Sequence, residues 1–149
     1  MHLQLLYCSP VWAPVYKSDI NLIESLQRHF TKTLNGLRYL FYEQRLNTLS
    51  AESLELQRLK LDLSLTFKCL HSQVAVDQEL FCFKTDCQTR GDFKVFKTHC
   101  SNNARSVSFT CRRTNCWNSL PNHLRSAQSL YLFKHLINSC DFTAYLVSS

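Results

Sequence analysis

The chain predicts a mainly α-helical fold: two helical blocks joined by a basic, loop-rich segment with room for one short β element. Three observations carry this. Glycine is scarce, with only Gly36 and Gly91 in 149 residues, so tight hairpins have few places to turn. Apolar residues recur at intervals of three and four in several stretches, the pattern of a helix with one buried face. Those stretches run without an internal proline, which helix interiors exclude.

The elements follow in chain order. Leu3–Cys8 is a short apolar run ended by Pro10 and Pro14. It does not read as a signal peptide: no Lys or Arg precedes it, Gln4 interrupts it, and it is short before Ser9-Pro10. In "SDINLIESLQRHFTKTLNG", Ile20, Ile23, Leu26, Phe30, Leu34 and Leu37 predict one buried helix face. Ser18 is the expected cap, Asp19 suits the positive helix end, and Asn35-Gly36 supplies a left-handed stop. A short helix is expected over Tyr42–Leu49.

"SLELQRLKLDLSLTFKCLH" carries two periods at once. Leu59, Leu61, Leu63, Leu65 and Phe67 alternate as in a strand, while Leu56, Leu59, Leu63, Phe67 and Leu70 fit a helical stripe. About nineteen residues without Gly or Pro, with Ser53 to cap them, favour the helix. Leu61 and Leu65 then widen its apolar face, so it must be covered on two sides. Across residues 72–105 periodicity fades, and "FKVFKTH" is the candidate β element. Phe109, Arg113, Cys116, Trp117 and Leu120 resume helical spacing up to Pro121. A last helix is expected over about Ala127–Ser139, with Leu130, Phe133, Leu136, Ile137 and Cys140 on one face.

Several function classes are excluded or left without support. Two glycines cannot build a Walker or dinucleotide loop. No Asp-Asp pair occurs, and the acids are scattered singly, which leaves two-metal phosphoryl chemistry without ligands. No nucleophile elbow of the G-x-S-x-G kind is present; His71 and His29 read as helix-end and polar-face residues. Cys82-x4-Cys87 and Cys111-x4-Cys116 flank His99-Cys100, a set that could converge on zinc. The spacings lack the short Gly- or Pro-turned knuckles of such sites, so no metal or other cofactor is assigned. No stretch approaches the ~18 apolar residues of a membrane span. The expected setting is the nucleus or cytoplasm, not secretion, with the eight cysteines as thiols.

Charge is unevenly placed. Residues 1–83 hold eight basic and eight acidic side chains. Residues 84–113 hold Lys84, Arg90, Lys94, Lys97, Arg105, Arg112 and Arg113 against Asp86 and Asp92, so nearly all of the chain's net +6 falls in thirty residues. Phe81, Phe83, Phe93, Phe96 and Phe109 are interleaved. Such a stripe suits a nucleic-acid backbone with stacking surfaces. It equally suits a solvated basic face over core phenylalanines.

Taken together and in order, "YCSPVWAP", "INLIESLQRHFTKTLNGLRYLFYEQRLNTLSAESLELQRLKLDL", "TRG", "CWNSLPNHL" and "FKHL" resemble the C-terminal region of non-LTR retrotransposon (LINE, jockey-like) reverse transcriptases, over about residues 3–142. In that family the catalytic metals are held upstream by an aromatic-x-Asp-Asp motif of the palm, which this chain does not contain. The resemblance therefore implies no catalytic residue. It implies a thumb-side helical segment over 1–72 and a conserved tail over 89–142, with Arg90, Trp117, Asn118, Leu120, Pro121 and Phe133 structural.

The expected organisation is a helical thumb-like segment 1–75, a basic connection 76–105, a helical tail 106–142 and an unstructured end 143–149. The expected function is that of a fragment of an RNA-directed DNA polymerase, not itself an enzyme, binding RNA or DNA backbone through the seven cations of 84–113. The alternatives are a non-catalytic helical module for a protein partner and, behind it, a small zinc-stabilised domain. Leu3, Leu5, Leu6 and Trp12 are expected to leave an apolar patch that wants the missing polymerase core or another protein.

Overall fold

The computed structural model describes residues 14, 16–73, 93–95 and 108–146. Within them the fold is mainly α. The elements are α1 (Lys17–Thr33), α2 (Tyr42–Thr48), α3 (Leu54–Leu70), α4 (Phe109–Ser119), the single turn α5 (Asn122–Arg125), α6 (Leu130–Ile137) and a 3₁₀ turn over Thr143–Tyr145. No strand occurs among the described residues; of the expected β element only residues 93–95 are described, and they lie outside regular secondary structure. No helix among the described residues is long and apolar enough to cross a membrane. Leu3, Leu5, Leu6 and Trp12 lie outside the described residues.

The chain groups into two compact units, Met1–Leu59 with Phe142–Ser149, and Lys60–Asp141. The division falls inside α3. Phe142, the last residue of the expected helical tail, is buried, and the first three residues of the expected unstructured end, Thr143–Tyr145, form the 3₁₀ turn.

In the first unit α1 forms where periodicity places it, but its buried face is rotated: of the expected face Ile20 is buried, while Leu26 and Phe30 are exposed. Its buried residues are Ile20, Glu24, Gln27 and Thr31. Leu22, Leu26 and Phe30 face outward, 68%, 44% and 49% exposed. The polar face is buried because it answers backbone groups at and just before the start of α3. Glu24 Oε2 accepts from the Leu54 amide (3.1 Å), the first residue of α3. Gln27 Nε2 donates to the Glu52 carbonyl (3.1 Å). A helix start leaves four amides unpaired, and a carboxylate there also meets the positive helix end. Ser53 Oγ accepts from the Leu56 amide at 3.3 Å, which is the cap the sequence indicates.

Ser18 does not cap α1. The helix begins one residue before it, with Tyr16 at the cap position and no side-chain cap bond, while Ser18 Oγ donates to Asp19 Oδ1 at 3.3 Å. Gly36 adopts φ +82° in the turn after α1, as the Asn-Gly pair predicts. At α2 the Gln44 side chain reaches back to accept from the Phe41 amide at 3.1 Å, one half of a capping box.

The second unit is built on the remainder of α3. Leu63 and Phe67 are fully buried, as are Trp117 of α4 and Phe133 of α6. The double period of α3 resolves as a helix, and the extra strand-like leucine, Leu61, is the one left 39% exposed. Pro121 stops α4 and starts α5, the element with no sequence forecast. Four residues are too few for a periodic pattern. Ser129 caps α6, its Oγ accepting from the Leu132 amide at 3.2 Å.

Four rings form one stack in this unit. Phe93 lies on His71 (centroids 4.3 Å), His71 on Phe67 (4.0 Å) and Phe67 on Phe133 (4.6 Å), all within 25° of parallel. Trp117 tilts against Phe133 at 5.7 Å. His71 Nε2 bonds the Arg125 carbonyl at 2.9 Å. A carbonyl only accepts, so Nε2 carries a proton.

Candidate nucleic-acid interface

Of the seven cations that the sequence nominates, Lys84, Arg90, Lys97 and Arg105 lie outside the described residues. Lys94, Arg112 and Arg113 are described, and they stand in different surroundings.

Lys94 is half-buried on a short stretch held from both sides. The Asn118 amide pairs with Val95 as a neighbouring strand would: Oδ1 accepts from the Val95 amide (2.9 Å) and Nδ2 donates to the Val95 carbonyl (2.7 Å). Trp117 Nε1 donates to the Phe93 carbonyl at 2.7 Å. Phe93 itself sits at φ +58°, a conformation that costs a non-glycine residue roughly 1–2 kcal/mol. The ring stack and the Trp117 bond hold it there. Trp117 and Asn118 thus fix residues 93–95 against α4.

Arg112 and Arg113 turn toward a carboxylate inside the protein. Asp62 of α3 is fully buried; Arg113 Nε donates to its Oδ2 at 2.6 Å and Arg112 Nη2 reaches the same oxygen at 3.5 Å. Asp62 Oδ1 takes no hydrogen bond. Burial lowers the Arg112 pKa from its ordinary value, against the opposing pull of Asp62. An ionised carboxylate in this position is tolerable only with such partners. These two arginines therefore join α4 to α3, and two of the seven nominated charges answer an internal anion. Only a side-chain acid at position 62 hinted at this: Asp62 falls between Leu59 and Leu63 on a leucine-rich helix.

The cysteines show no convergence on a metal among the described residues, where no group of three His, Cys, Asp or Glu side chains is arranged to hold an ion. Cys82, Cys87, His99 and Cys100 lie outside those residues. Cys116 is buried, and burial pushes its thiol up to about 11.

Two further polar constellations lie in the first unit. Buried Glu24 and Arg45 cluster with half-buried Tyr42: the Tyr42 hydroxyl donates to Glu24 Oε1, and the Arg45 guanidinium donates to Thr31 Oγ1 (3.0 Å) and to the Leu40 carbonyl. Arg28 and Arg45 lie over the Tyr42 ring at 5.1 and 5.6 Å. Burial, then the bond to Glu24, raises the Tyr42 pKa. The second constellation is an open cleft of about 700 Å³ at the end of α1, lined by His29, Lys32, Asn35, Gly36, Arg38 and Tyr39 among others. The charge balance of residues 1–83 hides it. Its signal is more local: Ser25–Tyr42 holds Arg28, Lys32 and Arg38 and no acid.

No family model, no curated protein and no solved structure matches this chain.

Proposed function

We propose that the chain is a non-catalytic helical part of a LINE-type RNA-directed DNA polymerase, the part that follows the palm, and that its own biochemistry is sequence-independent binding to RNA or DNA. The observation that supports this most is the concentration of charge in residues 84–113. Lys84, Arg90, Lys94, Lys97 and Arg105 carry the contacts in this reading. Arg112 and Arg113 contribute through the fold, because Asp62 engages them. The absence of an Asp-Asp pair from the sequence supports a binding role over a polymerising one.

A mobility-shift titration with single-stranded oligonucleotides tests it. Five phosphate contacts give a slope of log affinity against log salt of about −3.5, so affinity falls about a hundredfold between 50 and 200 mM salt. No binding at low salt, or binding indifferent to salt, ends the proposal.

One observation favours a second reading, a docking module for a protein partner: Leu22, Leu26 and Phe30 form an outward apolar row on α1. Neutralising Lys94 and Lys97 separates the two. Nucleic-acid affinity drops under the first reading, and partner binding survives under the second.

A further inference from the structure

We infer that the cleft at the end of α1 is a binding site for a single-stranded nucleic acid, with Tyr39 as the base-stacking platform and Lys32 and Arg38 as the phosphate contacts. It rests on the nucleic-acid reading above and places a contact surface within residues 1–83, where basic and acidic side chains balance.

Four observations converge on it. Tyr39 is 93% exposed, a large ring held in water beside two cations with no core to fill. Lys32 and Arg38 are exposed and line the same cleft. The cleft floor is open above Gly36, where an added Cβ would meet nothing within 4 Å, so a ligand can approach the backbone. Its volume, about 700 Å³, lies within the roughly 300–1,000 Å³ of small-ligand sites. Cations tracking a backbone beside an aromatic face are the two parts that single-strand binding combines.

No acidic side chain lines the cleft. The end of α1 contributes about half a negative charge, against Lys32 and Arg38 together. The nearest acid upstream, Glu24, is buried and bonded to Tyr42 and to the Leu54 amide. A duplex hides its base faces in its own stack, so the exposed ring selects for single strands. An apolar protein segment is a poorer fit, because the lining pairs its ring with charged and amide groups.

The test is fluorescence anisotropy of the full chain with labelled dT20, rU20 and a 20-base-pair duplex across a salt series. Lys32→Gln with Arg38→Gln should lower the salt slope for single strands by about 1.4, at about 0.7 per phosphate contact. Tyr39→Ala should weaken dT20 and rU20 about tenfold and leave both the slope and duplex binding unchanged. All three side chains are exposed, so circular dichroism should show the variants folded. Unaltered binding by both variants overturns the cleft and leaves the nucleic-acid reading standing. Equal loss on duplex and single strand from Tyr39→Ala overturns the stacking role. A wild-type chain that binds none of the three probes overturns both.

Discussion

Asp62→Asn keeps the shape of the side chain and removes its charge. Arg112 and Arg113, only 14% and 18% exposed, then lose the anion they share. Leaving a mostly buried guanidinium without its counter-charge costs about 3 kcal/mol, and urea unfolding of the variant should show a midpoint shift of that size. An unchanged midpoint would mean that the two arginines are satisfied elsewhere. The same residues separate charge count from available charge. Seven cations in thirty positions suggest a continuous basic stripe, but a sequence does not reveal which of them a distant carboxylate will claim. Asp62 lies about fifty residues before its partners, and nothing local links them. Asn118 was equally opaque: its pairing with Val95 depends on tertiary placement, and an asparagine at a helix end more often meets water.

At the scale of elements, the helices were readable and one of their orientations was not. Periodicity located α1, α3, α4 and α6, because spacing of three and four residues over many positions admits few other conformations. The strand-like alternation in α3 failed because a helix of seventeen residues needs its apolar face only on average. α1 buries a rotated face because hydropathy weighs side chains alone, whereas Glu24 and Gln27 satisfy backbone groups around the start of α3. This gives an unusual prediction. Glu24→Ala should destabilise by about 1–3 kcal/mol, since it strips a partner from a buried amide and a half-buried hydroxyl. Leu22→Gln, at a position 68% exposed, should change stability by less than about 0.5 kcal/mol. Thermal or urea unfolding of the pair decides it. The reverse ranking would show that α1 buries its apolar row after all.

For the whole molecule, the thiols set a limit at high pH. Burial raises the Cys116 pKa to about 11 and raises those of Cys69 and Cys140 as well. Each unfolded thiol titrates near ~8.5. The folded state thus holds its protons more tightly, and this contribution is complete below about pH 8.5 and declines as pH rises toward 11. Under reducing conditions the urea midpoint should fall between pH 8 and 10.5, and Cys116→Ala should flatten the fall; a midpoint that is level or rises over this range would contradict it. The ring stack sets a different kind of limit, on the order of events in time. Phe67 and His71 are one helical turn apart and can meet as α3 forms. Phe93 joins them from about twenty residues further along the chain, and Phe133 from more than sixty. Each closure carries an entropic toll that grows with the logarithm of the loop, and contacts between distant residues slow folding. The stack is therefore a clock: its inner pair forms early, and its outer rings record when the tail reaches the scaffold.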